Sequence, residues 1–263
     1  MGTNSKLKGK VALITGSSEG IGKTIALKFA ENEADVVING RTPESGMETV
    51  NKIKDMGKQA IFEKADLTIY NEVKEMVTRV LEKMSRIDIL VVSGGTSSRG
   101  KPLITPNFFR DINPDTYIDF INSQYFSRLY CVRSVLDHMI ERKSGKIVLI
   151  GTDAGRWPTP GESLPGGAGA ALVLTTKVLA SEFARWGIRI NTISTTVTKD
   201  TPGIELVLSC GPAAKVFQKA MEKQPFPLRA NDIAEAALFL ASEASDQITG
   251  QTISVNGGLC FPG

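Results

Sequence analysis

The sequence predicts an α/β fold in which helices cover both faces of a single, mostly parallel, doubly wound sheet. Short β-branched runs alternate with longer amphipathic stretches, first at residues 11–14, 21–32 and 36–38. This alternation is typical of βαβ units. A later strand, at residues 89–92, is continuously apolar. Such a run indicates burial on both faces, as in a parallel sheet between two layers of helices.

The remaining elements continue the same alternation. Strand-like runs, separated by helix-patterned sequence, follow at residues 60–63, 87–92, 146–150, 188–194 and 252–255. No linker or shift of composition divides them, so residues 1–263 are predicted to form one domain. Three segments lack the pattern and are predicted to be loops on the ligand side of the sheet. They lie at about residues 96–114, 153–169 and 200–224.

The composition excludes several classes of protein. The 263 residues are 41% hydrophobic and 22% charged, with a net charge of +3, as in an ordinary globular protein. Lys and Arg are interspersed with acids, so we expect no nucleic-acid partner. No apolar run approaches the ~20 residues of a membrane helix, so we expect no membrane partner and a cytoplasmic location. With His138 as the only histidine and no metal-like cysteine spacing, no metal site is expected.

A glycine-rich segment directly after the first strand is the clearest sign of a binding site. Residues 15–22 read TGSSEGIG and open the first amphipathic helix. Glycines there permit a tight turn and a close approach to a pyrophosphate, whose charge the free N–H groups of the helix start would meet. This context favours a Rossmann-like dinucleotide site over a simple strand-to-helix turn. The predicted contacts are Gly16, Ser18, Glu19, Gly20, Ile21 and Gly22.

The end of the second strand bears on the choice between NAD and NADP. An acid at this position would normally hold the ribose 2′-hydroxyl of NAD, but residues 39–42 read NGRT and contain none. Arg41 can pair with the 2′-phosphate of NADP, although a solvated surface arginine accounts for it equally well. Glu19 in the glycine loop would repel that phosphate. On balance the sequence favours NADP by a modest margin.

Further motifs make the chain resemble the short-chain dehydrogenase/reductase family. The position after the third strand, where the family contacts adenine, is occupied here by Asp66 and Leu67. The family's NNAG motif after the fourth strand is replaced here by Ser93, Gly94 and Gly95. The run at residues 248–258 matches the closing pattern of 3-oxoacyl-carrier-protein reductase-like members. By this resemblance the further cofactor-binding residues are Asp66, Leu67, Ser93, Gly94 and Gly95.

The resemblance also implies an activity and an assembly. Members of the family are NAD(P)(H)-dependent oxidoreductases that act on a carbonyl/hydroxyl pair by hydride transfer. They commonly form homodimers or homotetramers through two long helices, which are expected here at residues 114–142 and 170–186. The substrate itself cannot be identified from the sequence, because the predicted substrate-side loops carry no chemical signature.

The chain departs from the family at its catalytic residues. In the family a Ser, a Tyr and a Lys one helical turn later do the chemistry, with an Asn on the preceding helix. Alignment without gaps puts Thr152 at the Ser position and Gln124 at the Asn position, so these two are the candidate catalytic residues. Pro165 and Gly169 fall at the Tyr and Lys positions. Proline has no titratable proton and glycine has no side chain, so the predicted catalytic site is non-standard.

Two functions remain open on this evidence. The chain is either an oxidoreductase of altered mechanism, in which water or an unassigned acid supplies the proton, or a non-catalytic cofactor-binding or structural subunit. Two acids near the expected pocket, Asp153 and Glu162, are expected to be exposed. Lys177 lies about 12 Å along a helix from Gly169 and cannot replace the missing lysine. Because residues 165–169 are a poor helix start, we expect the helix to begin after them and the preceding loop to be mobile.

Overall fold

The computed structural model describes residues 5–94, 97–98, 101–102, 107–209 and 214–263. Within these residues, nine strands follow in chain order: β1 (Val11–Thr15), β2 (Asp35–Gly40), β3 (Ala60–Lys64), β4 (Ile89–Val92), β5 (Ser97–Ser98), β6 (Lys101–Pro102), β7 (Gly145–Thr152), β8 (Ile188–Thr195) and β9 (Thr252–Val255). Seven form one parallel sheet in the order β3-β2-β1-β4-β7-β8-β9, while β5 and β6 form a separate antiparallel ribbon. The strand order reverses between β1 and β4, which creates a topological switch point.

Nine α-helices occur in the same described part of the chain: α1 (Gly20–Glu31), α2 (Pro43–Asp55), α3 (Tyr70–Met84), α4 (Tyr117–Ile121), α5 (Ser127–Arg142), α6 (Ser163–Phe183), α7 (Pro202–Ser209), α8 (Ala214–Lys223) and α9 (Ala230–Ala241). A π-helical turn, Asn122–Phe126, joins α4 to α5. The predicted long helix at residues 114–142 is therefore built from several segments rather than one regular helix.

Two apolar layers, one on each face of the sheet, form the core. Along β1, Ala12 and Ile14 lie in the first layer and Leu13 in the second, which is the period-two alternation of a strand. Helices α1, α2 and α9 complete the first layer, and α3, α5 and α6 complete the second. The predicted α/β fold, a single Rossmann-like domain with helices on both faces, is confirmed.

The prediction of a loop at residues 153–169 is wrong for its second part, residues 163–169, which are helical. Helix α6 begins at Ser163, whereas the sequence led us to expect a start after Gly169. Pro165 lies in the first turn of the helix, where its missing N–H is not needed. Gly169 packs against Gly155, so a tertiary contact offsets the low helix propensity of glycine.

The predicted loop at residues 200–224 is also wrong, since its described part consists mainly of α7 and α8. Ile204 and Phe217 of these helices are buried together with Val197 in a third, smaller apolar cluster. Burial of this cluster stabilises two short helices that local sequence patterns did not reveal. Within the segment 96–114, the described residues form the β5–β6 ribbon and 3-10 turns at Phe109–Asp111 and at the start of Pro114–Thr116.

Among the described residues, one helix, α6, is long and apolar enough to cross a membrane by length and composition alone. An 18-residue window within Ser163–Trp186 has a mean hydropathy of 1.2. However, Leu172, Ala180 and Phe183 pack in the second core layer, as in a core helix of a globular fold. The opposite side of α6 exposes two large apolar residues, Leu174 and Val178.

Candidate active site

A cleft of about 320 Å³ lies at the carboxyl ends of β1 to β4, beside the topological switch point. The start of α7 closes one side of it. All the predicted cofactor residues in the described chain line this cleft: Gly16, Ser18, Glu19, Gly20, Ile21, Gly22, Arg41, Asp66, Leu67, Ser93 and Gly94. The last predicted cofactor residue, Gly95, lies outside the described residues.

The glycine loop after β1 is shaped by backbone contacts that only glycine permits. Gly16 has a φ of +57°, and a Cβ there would lie 2.6 Å from the carbonyl oxygen of Ser93. A Cβ on Gly22 would lie 2.4 Å from the carbonyl oxygen of Gly16. Glycine therefore holds the loop close to β4. The Glu19 side chain makes no cap hydrogen bond to the first turn of α1, so the N–H groups of that turn are available to an anion.

Asn39, near the end of β2, braces this loop, and reasoning from the sequence gave it no role. Its Oδ1 accepts the N–H of Gly16 at 3.2 Å, and its Nδ2 donates to the carbonyl oxygen of Glu63 at 3.1 Å. Its own backbone N–H donates to Ser17 Oγ at 3.1 Å. The signal in the sequence was an asparagine inside an otherwise apolar strand, because a buried amide needs several partners.

Polar side chains line the outer end of the cleft, around the carboxyl end of β2. The Ser18 hydroxyl lies close beside Gly40, and among the described residues it is buried without a hydrogen-bond partner. Arg41 is exposed on the rim. Asp66 is fixed by Thr68, whose N–H and hydroxyl donate to Oδ1 at 2.9 and 2.7 Å. The Ser18 hydroxyl, the Arg41 guanidinium and the Asp66 carboxylate line the same cleft, and such groups fit the hydroxyl and phosphate groups of a dinucleotide.

A second cavity, of about 180 Å³, adjoins the cleft. It contains both candidate catalytic residues, Thr152 at the end of β7 and Gln124 in the π-helical turn. The Thr152 Oγ1 accepts the N–H of Ala154 at 3.2 Å, which leaves its own O–H proton to be donated elsewhere. Three residues line both the cleft and the cavity: Ile21, Ser93 and Gly94.

The π-helical turn shapes the wall of this cavity. Such turns are rare and are often found at functional sites. Here the carbonyl oxygen of Ser123 accepts hydrogen bonds from Ser127 Oγ at 2.6 Å and from Arg128 Nη1 at 3.2 Å. Arg128 itself lines the cavity, and reasoning from the sequence missed it. The available signal was its position four residues before Val132, on the buried face of α5.

Comparison with known proteins establishes the family. A family model described as short chain dehydrogenase matches residues 10–206. The chain belongs to the short-chain dehydrogenase family. Its predicted resemblance to 3-oxoacyl-carrier-protein reductases is confirmed by relatives of nearly equal length. This short-chain dehydrogenase is 33% identical over 260 residues to a 3-oxoacyl-[acyl-carrier-protein] reductase of Chlamydia pneumoniae, covering 97% of this chain and 98% of that protein.

Other proteins similar to this short-chain dehydrogenase carry different names. It is 34% identical over 257 residues to the (2S)-[(R)-hydroxy(phenyl)methyl]succinyl-CoA dehydrogenase subunit BbsD of Thauera aromatica, covering 96% of this chain and 97% of that one. A solved dehydrogenase/reductase from Sinorhizobium meliloti 1021 has a TM-score of 0.84 at 25% identity, covering 98% of each chain. Carveol dehydrogenase from Mycobacterium avium in complex with NAD shares the fold, with a TM-score of 0.85 at 23% identity over 97% of this chain and 98% of that one.

Pro165 and Gly169, which the resemblance predicts at the family's Tyr and Lys positions, both line the cavity of this short-chain dehydrogenase. A Cβ on Gly169 would lie 3.0 Å from Thr152 Cγ2 and 3.1 Å from Gly155 Cα. A Cβ on Gly155 would lie 2.4 Å from the carbonyl carbon of Gly169. The two backbones are thus packed together where a lysine side chain would begin. Lys177 is exposed and does not line the cavity.

Both acids that the sequence suggested as substitutes are less exposed than expected. Asp153 is buried and accepts hydrogen bonds from Ser254 Oγ at 2.8 Å and Asn256 Nδ2 at 2.7 Å, because the polar C-terminal segment packs against the end of β7. Glu162, directly before α6, is half-buried, and burial raises the pKa of its carboxyl to about 7. Neither acid lines the cavity, so neither is positioned in it as a proton donor.

Two tyrosines of this region, Tyr125 and Tyr130, contact neighbouring elements of the fold. The Tyr125 hydroxyl lies 2.7 Å from Thr175 Oγ1 and so links the π-helical turn to α6. The Tyr130 ring contacts that of Tyr70, with centroids 5.4 Å apart. Neither tyrosine lines the cavity, so neither takes the place of the family's catalytic tyrosine.

Proposed function

We propose that this short-chain dehydrogenase is an oxidoreductase that binds NADP(H) and interconverts a carbonyl group and a hydroxyl group. The observation that carries the proposal is the junction of the cleft with the cavity, which share Ile21, Ser93 and Gly94 as lining residues. A dinucleotide with its pyrophosphate at the start of α1 would extend along the cleft to this junction. When bound in its reduced form, it supplies the hydride for a carbonyl substrate in the cavity.

The residues of the cavity orient the substrate in this proposal. The Thr152 hydroxyl donates to the carbonyl oxygen, since its own oxygen is engaged by the N–H of Ala154. Gln124 offers a second N–H group from its amide. The proton that completes the hydroxyl product is taken from water. Loss of a positioned acid typically costs about 10²- to 10⁴-fold in rate, so we expect slow turnover.

The preference for NADP rests on the outer end of the cleft. Arg41 lines it, and no acid follows β2 to hold a ribose 2′-hydroxyl. The unpartnered Ser18 hydroxyl supplies a further donor for a phosphate. Glu19 lines the same cleft, and its carboxylate would repel a 2′-phosphate. The proposed preference for NADP is therefore modest.

Calorimetric titration with NADPH and NADH is the experiment that tests cofactor binding. We expect micromolar binding of NADPH and weaker binding of NADH. Arg41→Ala should remove most of the difference between them, since the arginine is proposed to contact only the 2′-phosphate. Lys64→Ala, at the exposed end of the neighbouring strand β3, is the control. Equal dissociation constants for the two cofactors in the natural protein would refute the preference.

Turnover is tested with a panel of 3-oxoacyl thioesters and simple oxo compounds. The Chlamydia relative acts, by its name, on 3-oxoacyl groups, and for this reason the panel starts there. Thr152→Ala should lower kcat by roughly 10-fold or more while NADPH binding is unchanged, because one hydrogen bond to the reacting oxygen is lost. Thr159→Ala, whose hydroxyl donates to Trp157 outside the cavity, is the control. Equal kcat in Thr152→Ala and in the natural protein would contradict the proposed role.

A non-catalytic cofactor-binding or structural subunit is the second candidate function. The contact between Gly155 and Gly169 favours it, because Gly155 Cα lies 3.1 Å from the place where the Cβ of a lysine at position 169 would be. This candidate predicts nicotinamide binding without turnover of any oxo compound in the panel. Absence of cofactor binding as well would leave a scaffold role.

We further propose that the protein is a homodimer or homotetramer in the cytoplasm. The exposed apolar side of α6 supports this proposal, since Leu174 is 64% exposed and Val178 is 48% exposed. Helix α4 and the π-helical turn pack beside α6 and add Ile118 and Phe126 as further exposed apolar residues. A second copy of this surface would cover these side chains.

A further inference from the structure

Arg128 is a buried cation without an acidic partner. Its side chain lies within the molecule at 6% exposure, and no carboxylate among the described residues contributes to its electrostatic environment. Burial lowers the pKa of the guanidinium to about 10, so the group still carries its charge at neutral pH. A buried charge is costly unless an opposite charge or hydrogen bonds compensate it.

Hydrogen bonds compensate this charge only in part. Nε donates to the carbonyl oxygen of Ile150 at 3.2 Å, Nη1 to that of Ser123 at 3.2 Å, and Nη2 to that of Gly94 at 3.1 Å. A guanidinium has five N–H donors. The other two N–H groups, one on each terminal nitrogen, have no acceptor among the described residues, and the side chain lines the cavity.

The other buried arginine of the described core, Arg189, is arranged differently. It is 9% exposed, and its Nη2 lies 3.4 Å from Asp246 Oδ1 in addition to its contacts with carbonyl oxygens. Arg189 therefore has an acid of its own chain. Arg128 has a cavity in the corresponding place, so an anionic ligand in that cavity would supply the missing charge.

We propose that Arg128 binds the carboxylate of a small oxo acid in the cavity, beside Thr152. The two free N–H groups suit a carboxylate, which forms strong paired hydrogen bonds with arginine. Pro165, Gly169 and Leu172 provide an apolar wall for the rest of a small molecule. This inference rests on the proposed function and names the substrate class of the same site. A neutral oxo compound would leave the cation unpaired.

The test compares two acids with their uncharged methyl esters, namely pyruvate with methyl pyruvate and 3-oxobutyrate with methyl 3-oxobutyrate. Binding is measured by calorimetry with NADPH-loaded and cofactor-free protein. We expect at least one acid to bind about 10- to 100-fold more tightly than its ester, as charge-assisted hydrogen bonds predict. Arg128→Gln should reduce the affinity for the acid to that of the ester. The control is Arg133→Gln on the exposed side of α5. This substitution should change neither the affinity for the acid nor the affinity for the ester.

A measurement on the natural protein, without any variant, overturns the inference if each acid binds no more tightly than its ester or if neither binds. A preference for the acid that survives in Arg128→Gln would also overturn it. Because Arg128 donates to three carbonyl oxygens, its loss can disturb the fold, and Arg128→Lys therefore provides a second variant. This variant keeps the positive charge and should keep part of the preference for the acid.

Failure of the proposed function would give a different result. In that case an acid would bind through Arg128, but neither NADPH nor NADH would bind. Turnover of neutral ketones without a preference for acids would support the proposed oxidoreductase function and overturn the proposed class of oxo acid substrates.

Discussion

Gly155 and Gly169 bring the segment after β7 into backbone contact with α6, and Gly169 lines the cavity. A Cβ on Gly155 would lie 2.4 Å from the carbonyl carbon of Gly169, a distance that excludes a further carbon. A Cβ on Gly169 would lie 3.0 Å from Thr152 Cγ2, so the packing of Gly169 also limits the space beside the candidate catalytic residue.

Gly155→Ala should lower the free energy of unfolding by about 1–3 kcal/mol or more, because the added methyl group would overlap the backbone of α6. Gly167→Ala is the matched control. Gly167 lies in the same helix, and a Cβ there meets no atom within 4 Å, so alanine should instead stabilise the helix by about 0.5–1 kcal/mol. Urea denaturation measures both variants. Similar effects of the two substitutions would contradict the close packing.

At the scale of secondary-structure elements, Asp88 connects the sheet to α5. This residue lies just before β4. Its Oδ2 accepts the N–H of Val11 in β1 at 2.9 Å, and its Oδ1 accepts from Arg142 at the end of α5 at 2.8 Å. Burial alone would raise the pKa of this carboxyl, but the hydrogen bonds from Arg86, Val11 and Arg142 outweigh it and hold the pKa below its ordinary value. The charged form is therefore the one that stabilises the fold.

Asp88→Asn should lower the free energy of unfolding at neutral pH by about 1.5–3 kcal/mol, the range for hydrogen bonds to a charged group. A depressed pKa contributes stability above the ordinary carboxyl value of about 3.9 and loses it as pH falls through the lower folded value. The difference between the variant and the natural protein should therefore shrink below that pH. Urea denaturation across pH checks this, with the exposed Asp137→Asn as control. A difference that is constant with pH would refute the ionic contribution.

The sequence predicted the central elements well because their signals are local. The alternation of strands and helices and the glycine loop each depend on residues close together in the chain. The start of α6 was mispredicted because it depends on a contact between Gly155 and Gly169. Arg128 was missed for a related reason, since an arginine on a helix is usually exposed and its burial depends on the carbonyl groups of three separate segments.

At the scale of the whole molecule, the exposed apolar side chains of α6 and its neighbours form the surface proposed for assembly. Ile118 is 79% exposed and Leu174 is 64% exposed, on helices that pack against each other. Monomeric proteins seldom leave large contiguous apolar patches in water. The same feature explains why α6 is apolar enough to resemble a membrane span while its other side packs in the core.

Leu174→Glu should convert the proposed dimer or tetramer into a smaller species, because burial of a charge in an apolar interface costs several kcal/mol. Light scattering coupled to size exclusion measures the mass. Met47→Glu on α2 is the control, since Met47 is 40% exposed on the opposite layer of the molecule and should leave the mass unchanged. A monomer for the natural protein would refute the proposed assembly.

The contact between Gly155 and Gly169 also bears on the evolutionary history of the site. A lysine at position 169 would place its Cβ 3.0 Å from Thr152 Cγ2 and 3.1 Å from Gly155 Cα, so these neighbours would have to move by a few tenths of an ångström. A tyrosine at position 165 together with a lysine at position 169 would therefore also require an adjustment of the packing around Gly155. The order of such changes would matter, because a change that loosens this packing would have to come before the lysine.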